Sequence, residues 1–269
     1  MTTSHTLDVR GAQLHYEVRG SGPVVLVVGS PMGAASFAPL ADALAVDHTV
    51  VTHDPRGISG SRLDDPDEET TVEQRADDVA AVLDALRVES ADMFGSSGGA
   101  VTGLALVTRH PGRVRTLVAH EPPLQVLLPD AAERRAEVDD IVATFRREGQ
   151  AAAFAKFMAH IGMAADERPR VPPGQQMDQA TADGARFLGH DIMATTRFVP
   201  DTAALAASTT RVVVGVGASS GGQLAHRTAL ALAERLGVEA IEFPGGHGGF
   251  TLQPQEFACG AELIVVDQT

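Results

Sequence analysis

The sequence predicts an α/β fold: a mostly parallel central sheet flanked by helices, with an inserted helical cap. Three observations carry that expectation. Short continuous apolar runs such as Val24–Val28 alternate with segments of helical period, the pattern of strands buried on both faces and joined by crossover helices. The stretch Ala91–Val107 reads as a strand, a turn of small residues and a helix. From about Pro122 to Ala207 the strand signals stop and helical periodicity takes over, before strands resume at Arg211. The expected organisation is a core of residues 1–121 and 208–269. A cap of residues 122–207 would lie over the strand ends that carry ligands in such sheets.

In chain order, Leu7–Arg10 and Gln13–Arg19 read as strands joined by a tight turn at Gly11 and Ala12. Gly20 to Pro23 punctuates the chain, and Val24–Val28 follows as a buried strand. Phe37–Leu44 has helical spacing, and the strand Thr49–Thr52 ends in His53-Asp-Pro-Arg-Gly57. After an acidic loop at 64–69, Val72–Leu86 alternates charged and apolar positions at helical period. Ala91–Phe94 and Arg113–Ala119 are strands, the second ending in His120-Glu-Pro-Pro123. Within the cap, Ala131–Glu148, Ala151–Ile161 and Gln175–Thr196 read as helices, with a proline-rich break at 168–174 before the last. Strands at Arg211–Gly215 and Glu239–Phe243 flank a helix at Gln223–Leu236. A glycine-rich loop around one histidine, Pro244-Gly-Gly-His-Gly-Gly-Phe250, precedes a closing helix at Pro254–Val266.

Composition bounds the function. With 269 residues, 44% of them hydrophobic, the chain can bury a large core. A formal charge of −14 argues against a general nucleic-acid or anionic-membrane binder. The single cysteine, Cys259, excludes an internal disulfide and a cysteine-based metal cluster. Residues 1–10 lack the apolar region of a secretion signal, and no apolar run approaches membrane-spanning length. A cytoplasmic protein with neither nucleic-acid nor membrane partners is therefore the expectation. His15 with Tyr16 and His48 with His53 form no recognisable metal constellation, and neither metal nor cofactor is expected. A homodimer stays open.

The chemistry concentrates at Gly95-Ser-Ser-Gly-Gly99, which fits the G-x-S-x-G nucleophile elbow with Ser97 at its tip. To lift its hydroxyl clear of a sheet, that serine must occupy a sharp, strained strand-to-helix turn, where side chains two residues to either side would collide. Gly95 and Gly99 hold those two positions, and Gly98 frees the next amide to face a developing oxyanion.

Four motifs in order now define a resemblance: Gly-Ser-Gly-Pro before a buried strand, His-Asp-Pro-Arg-Gly after the next, the elbow, and the late Gly-Gly-His-Gly-Gly. The chain resembles the α/β-hydrolase fold family, in its capped esterase, lactonase and epoxide-hydrolase-like branch. The resemblance spans nearly the whole length, although the cap matches only in position and helical character. It implies the chain order nucleophile, acid, histidine, with Ser97 as nucleophile and His247, in the last strand-to-helix loop, as general base.

The acid departs from the usual pattern. Many relatives carry it after the next-to-last strand, but the turn here, Gly217-Ala-Ser-Ser-Gly-Gly222, holds no carboxylate. Other relatives place it after the strand that follows the nucleophile helix. In this chain that position is Glu121, which Pro122 would bias toward an extended backbone. The structural alternative is that Glu121 anchors the start of the cap. Asp191 and Asp201, in the cap or its exit, read as helix-capping or solvated residues.

Of the two oxyanion-hole amides, one is expected from Gly98 and the other from the loop after the first buried strand, Gly29-Ser-Pro-Met-Gly33. Pro31 has no N–H, so Met32 is the expected donor and Ser30 the alternative. Asp54 and Arg56 read as ties between the strand end and neighbouring loops. Met158, Met163, Met177 and Met193 line an adaptable apolar pocket or simply pack the cap helices.

The expected activity is cofactor-free hydrolysis of a small, largely apolar ester or lactone through an acyl-enzyme on Ser97. A perhydrolase could use the same residues, and a non-catalytic small-molecule-binding protein is the competing class. Epoxide hydrolase and dehalogenase branches need a carboxylate where Ser97 stands.

Overall fold

The computed structural model describes residues 1–162 and 177–266. The chain opens with strands β1 (Thr2–Val9), β2 (Ala12–Gly20) and β3 (Val24–Val28) and helix α1 (Ala38–Leu44). Next come β4 (Thr49–His53), the two-residue β5 (Arg62–Leu63), α2 (Val72–Ala85), β6 (Ala91–Ser96), α3 (Gly98–Arg109) and β7 (Val114–His120). Helices α4 (Ala131–Glu148), α5 (Gln150–Ile161), α6 (Met177–Arg186), α7 (Ile192–Thr196) and α8 (Thr202–Ala207) precede β8 (Arg211–Gly217). The chain closes with α9 (Leu224–Leu236), β9 (Ile241–Phe243), α10 (Gly249–Leu252) and α11 (Pro254–Val266).

These strands form one sheet in the order β1-β2-β4-β3-β6-β7-β8-β9, with β5 on β2. The pairings of β2 with β1, β4 and β5 are antiparallel, and every pairing from β4 to β9 is parallel. Strand β3 sits between β4 and β6, so the chain leaves it toward one edge and returns on its other side. The loops after β3 and β6 therefore diverge at a topological switch point, where open α/β sheets bind ligands.

Alternation along the strands builds a core on each face. Leu26, Val28, Met93, Leu117 and Ala119 point into one cluster with α2 and α3, through Val79, Leu83 and Leu104. Val25, Val27, Phe94 and Val118 point the other way, onto Phe37, Phe243, Phe250 and Phe257. A separate cluster of Val138, Ile141, Val142, Ala153, Leu188 and Ile192 holds the helices between β7 and β8 together. These helices bury their own stripe rather than relying on the sheet.

Several elements differ from expectation. β1 starts at Thr2 instead of Leu7, because Thr2–Thr6 are exposed polar residues on an edge strand and carry no apolar alternation. β5, α8 and α10 are too short to leave a periodic signal. The segment read as one helix from Gln175 to Thr196 contains a π-helical stretch, Phe187–Asp191, between α6 and α7. Its start and the break at 168–174 lie outside the described residues. The ties after β4 are present: Asp54 accepts hydrogen bonds from the Ala34 and Gly60 amides, and Arg56 grips Asp78 with two N–H···O bonds of 2.7 and 2.5 Å.

Candidate active site

Ser97 is the one residue between β6 and α3, at φ 54° and ψ −123°. That conformation is strained for a residue with a Cβ. Its amide is fixed by a 2.9 Å hydrogen bond to the His120 carbonyl on β7. The flanking glycines are required by close backbone approaches. A Cβ on Gly95 would stand 2.7 Å from the Gly99 carbonyl oxygen, within the elbow itself. On Gly99 it would stand 2.0 Å from the Val28 oxygen, so this glycine lets α3 seat on the end of β3.

His247 lies between β9 and α10, and its Nδ1 is 2.6 Å from Glu121 Oε2. Glu121 follows β7 directly and is fully buried. Its backbone corrects the expectation from Pro122. The φ is 47°, in the left-handed region rather than extended. Tertiary bonds outweigh the local bias: the Glu121 amide donates to the Gly215 carbonyl at 3.0 Å. Its Oε1 accepts from the Gly217 amide at 2.9 Å and from Ser220 Oγ. The turn after β8, which carries no carboxylate, thus supplies two donors to the carboxylate of the neighbouring strand. Burial alone would raise the Glu121 pKa, but the hydrogen bond and charge of His247, with the Ser220 bond, bring it down to about 2.

Asp191 also corrects the reading. It is buried, its Oδ1 has no hydrogen bond among the described residues, and its nearest cation is Arg186 at 3.9 Å. Asp201, in contrast, caps α8 through the Ala204 amide.

A cavity of about 270 Å³ opens over this group. Ser97, His247, Ser30 and Met32 line it from the core, and Phe154, Phe157, Met158, Ile161 and Phe187 line it from the helices above. Of the other methionines between β7 and β8, Met193 packs against the cluster that holds these helices together and Met177 is exposed. Met163 lies outside the described residues. The Ser30–Pro31 peptide is cis. Among the described residues the amides of Met32 and Gly98 carry no hydrogen bond. No group of three or more His, Cys, Asp or Glu among the described residues is placed to hold a metal ion.

Residues 22–176 match the family described as alpha/beta hydrolase fold, more than half of the chain. The chain belongs to the α/β-hydrolase fold family. It is 35% identical over 260 residues to an uncharacterized hydrolase, YraK, of Bacillus subtilis, covering 94% of this chain and 92% of that one. A zearalenone hydrolase from Bionectria ochroleuca is 33% identical over 132 residues, 47% of this chain and 50% of that protein. In fold, the α/β hydrolase is similar to an enol-lactonase from Burkholderia xenovorans. The TM-score is 0.73 at 20% identity, and the match covers 97% of this chain and 100% of the other. At this level the chain is a hydrolase of the α/β family.

Sequence reasoning missed the roles of Ser220 and the Gly217 amide, although the serine-bearing turn was visible as an anomaly. It also missed His120, fully buried among Phe94, Phe243, Phe250 and Phe257, with its ring centroid 6.2 Å from that of His247. Burial lowers the pKa of His120 to about 4, against the opposing charge of Glu121, and does the same to His53, against Asp54.

These shifts set a pH dependence. Between about pH 6.5 and pH 4 the unfolded chain takes up protons that the two folded histidines refuse, so their stabilisation is full above that window and falls within it. Going from pH 7 to pH 5 is expected to cost up to about 2 kcal/mol per histidine, read as a falling Tm. A flat Tm over that range would contradict the assignment of two neutral buried histidines.

Proposed function

We propose that the protein is a cofactor-free serine hydrolase cleaving a small, largely apolar carboxylic ester or lactone through an acyl-enzyme on Ser97. The observation that carries this reading is the 2.6 Å His247–Glu121 hydrogen bond at the wall of a cavity that Ser97 also lines. A free serine hydroxyl is barely ionised, so attack needs a base. His247 takes the Ser97 proton through Nε2 as Oγ adds to the carbonyl carbon, while Glu121 fixes the Nδ1–H tautomer and stabilises the imidazolium. The amides of Gly98 and Met32 donate to the oxyanion. Collapse expels the alcohol, protonated by His247. Water, deprotonated by the same imidazole, then adds to the acyl carbon and releases the acid, regenerating Ser97. For a lactone, alcohol and acid leave as one hydroxy acid. Hydrogen peroxide in place of water would give perhydrolysis with the same residues.

The apolar wall of Phe154, Phe157, Met158 and Ile161 supports an uncharged acyl chain, and the curated relatives named as hydrolases support the reaction class. A panel of p-nitrophenyl esters and alkyl-substituted lactones tests the substrate class. Turnover is expected to be highest for short to medium uncharged chains. No turnover across the panel would contradict it.

One observation favours a second reading, a non-catalytic small-molecule-binding protein. Ser97 Oγ has no hydrogen bond among the described residues, to His247 or to any other group. Catalytic hydrogen bonds often tighten only when substrate binds, which reconciles the gap with catalysis. The binding reading requires instead that Ser97 never form a covalent adduct.

A further inference from the structure

Arg75, in the first turns of α2, is 2% exposed and makes no ion pair among the described residues. Its two terminal nitrogens are spent on hydroxyls: Nη1 donates to Ser30 Oγ at 2.6 Å and Nη2 to Thr195 Oγ1 at 2.8 Å. Nε has no partner among the described residues. A buried guanidinium normally faces a carboxylate, because desolvating a lone charge is costly. Burial does hold this one below its usual value, with Asp191 the largest opposing influence. Both hydroxyls it holds belong to residues that line the cavity with Ser97.

Ser30 supplies the second half of the argument. It lies in the loop after β3, two residues before Met32, and is 4% exposed. A Cβ placed on Gly98 would come within 2.6 Å of the Ser30 carbonyl oxygen and 3.2 Å of Ser30 Oγ. The Ser30 hydroxyl is therefore adjacent to the residue whose amide faces the developing oxyanion. Arg75 donates to that hydroxyl, so its oxygen already serves as an acceptor, and its own hydrogen has no acceptor among the described residues.

We propose that Ser30 Oγ–H is a third donor to the oxyanion and that Arg75 is the positioning residue that orients and polarises it. This rests on the reading of Ser97 as nucleophile. No proton is transferred: Ser30 keeps its hydrogen while the Ser97–carbon bond forms and the carbonyl oxygen gains the charge. A hydroxyl that accepts from a cation is a stronger donor, and the guanidinium charge is best compensated once the oxyanion exists. The pair therefore favours the tetrahedral intermediate over the ester, which is the condition for raising kcat. Thr195, on α7, holds the other side of the same guanidinium, so the cap and the oxyanion loop share one anchor.

The test uses p-nitrophenyl butyrate kinetics on the full chain with Ser30→Ala, Arg75→Met, Arg75→Lys and the Ser30→Ala/Arg75→Met double variant. Labelling of Ser97 by a fluorophosphonate runs in parallel. Ser30→Ala is expected to lower kcat by about 100-fold at a KM changed less than about twofold. Arg75→Met should do the same, Arg75→Lys should recover part of the loss, and the double variant should be no worse than the worse single. Ser30→Ala removes only a hydroxyl, so it remains informative even where Arg75→Met misfolds. A Ser30→Ala protein with unchanged kcat, or losses that multiply in the double variant, would overturn the proposal while wild-type turnover and labelling leave the hydrolase reading intact. A folded wild type inert to both ester and fluorophosphonate would overturn both.

Discussion

Ser97→Ala is expected to lower kcat on any ester the protein hydrolyses by about 10⁴-fold or more, leaving only what the oxyanion donors and cavity contribute by binding. The fold should be unaffected or slightly relaxed. The substitution removes one oxygen from a residue at φ 54° whose backbone is held through its own amide and the His120 carbonyl. Circular dichroism and Tm, measured beside the kinetics, separate loss of chemistry from loss of structure. A fall of less than tenfold with the fold intact would mean that the nucleophile lies elsewhere.

Glu121 carries the second large effect, and it divides into two measurable parts. Glu121→Gln keeps the shape but exchanges a carboxylate for an amide, which can present an N–H where His247 Nδ1–H needs an acceptor. The resulting wrong tautomer is expected to lower kcat by about 10⁴-fold, the loss seen when a triad acid is replaced by its amide in a serine protease. Glu121→Ala adds a stability cost. The Gly217 amide, bonded to Oε1, would be left as a buried donor without an acceptor, while the Ser220 hydroxyl would keep the Gly217 carbonyl, 2.8 Å away. Such a group is worth about 1–3 kcal/mol, visible as a lower midpoint in urea at unchanged slope. Acid should act on the same contacts. With the folded pKa at about 2 against an ordinary glutamate, the stabilisation is full above the unfolded value and is lost as pH falls through the folded one. Glu121→Gln should accordingly flatten the stability curve below about pH 4.5. Unchanged kcat in Glu121→Gln would remove Glu121 from the catalytic group and leave it as a structural anchor at the end of β7.

The legibility of this molecule in its sequence depended on whether a feature is local. Strands such as Val24–Val28 were readable because burial on both faces imposes a continuous apolar run. Ser97 and His247 were readable because close backbone approach demands glycine around each, and glycine leaves a signature in one dimension. Glu121 was readable only as the one carboxylate placed at the end of a strand beside the strand that leads to Ser97. Its φ was not, because the bonds that hold it come from residues 215 and 217 on the neighbouring strand and 220 in the turn after it. Arg75 looked like any charged position of an amphipathic helix, and Asp191 like a solvated carboxylate. Both are buried by the helices between β7 and β8, whose packing onto the core no local pattern encodes. The polar edge strand β1 was half-missed for the converse reason, since its pairing uses backbone groups that every residue carries.

The central claim is that Ser97 is an activated nucleophile, and one intact-mass measurement tests it most directly. Wild-type protein and Ser97→Ala are each incubated with a fluorophosphonate, and their masses are compared with untreated samples. The account requires a single covalent adduct on the wild type and none on the variant, because only a serine deprotonated by His247 and served by oxyanion donors displaces fluoride at phosphorus. A folded wild-type protein that takes up no label would contradict the serine-hydrolase account, as would equal labelling of the two proteins.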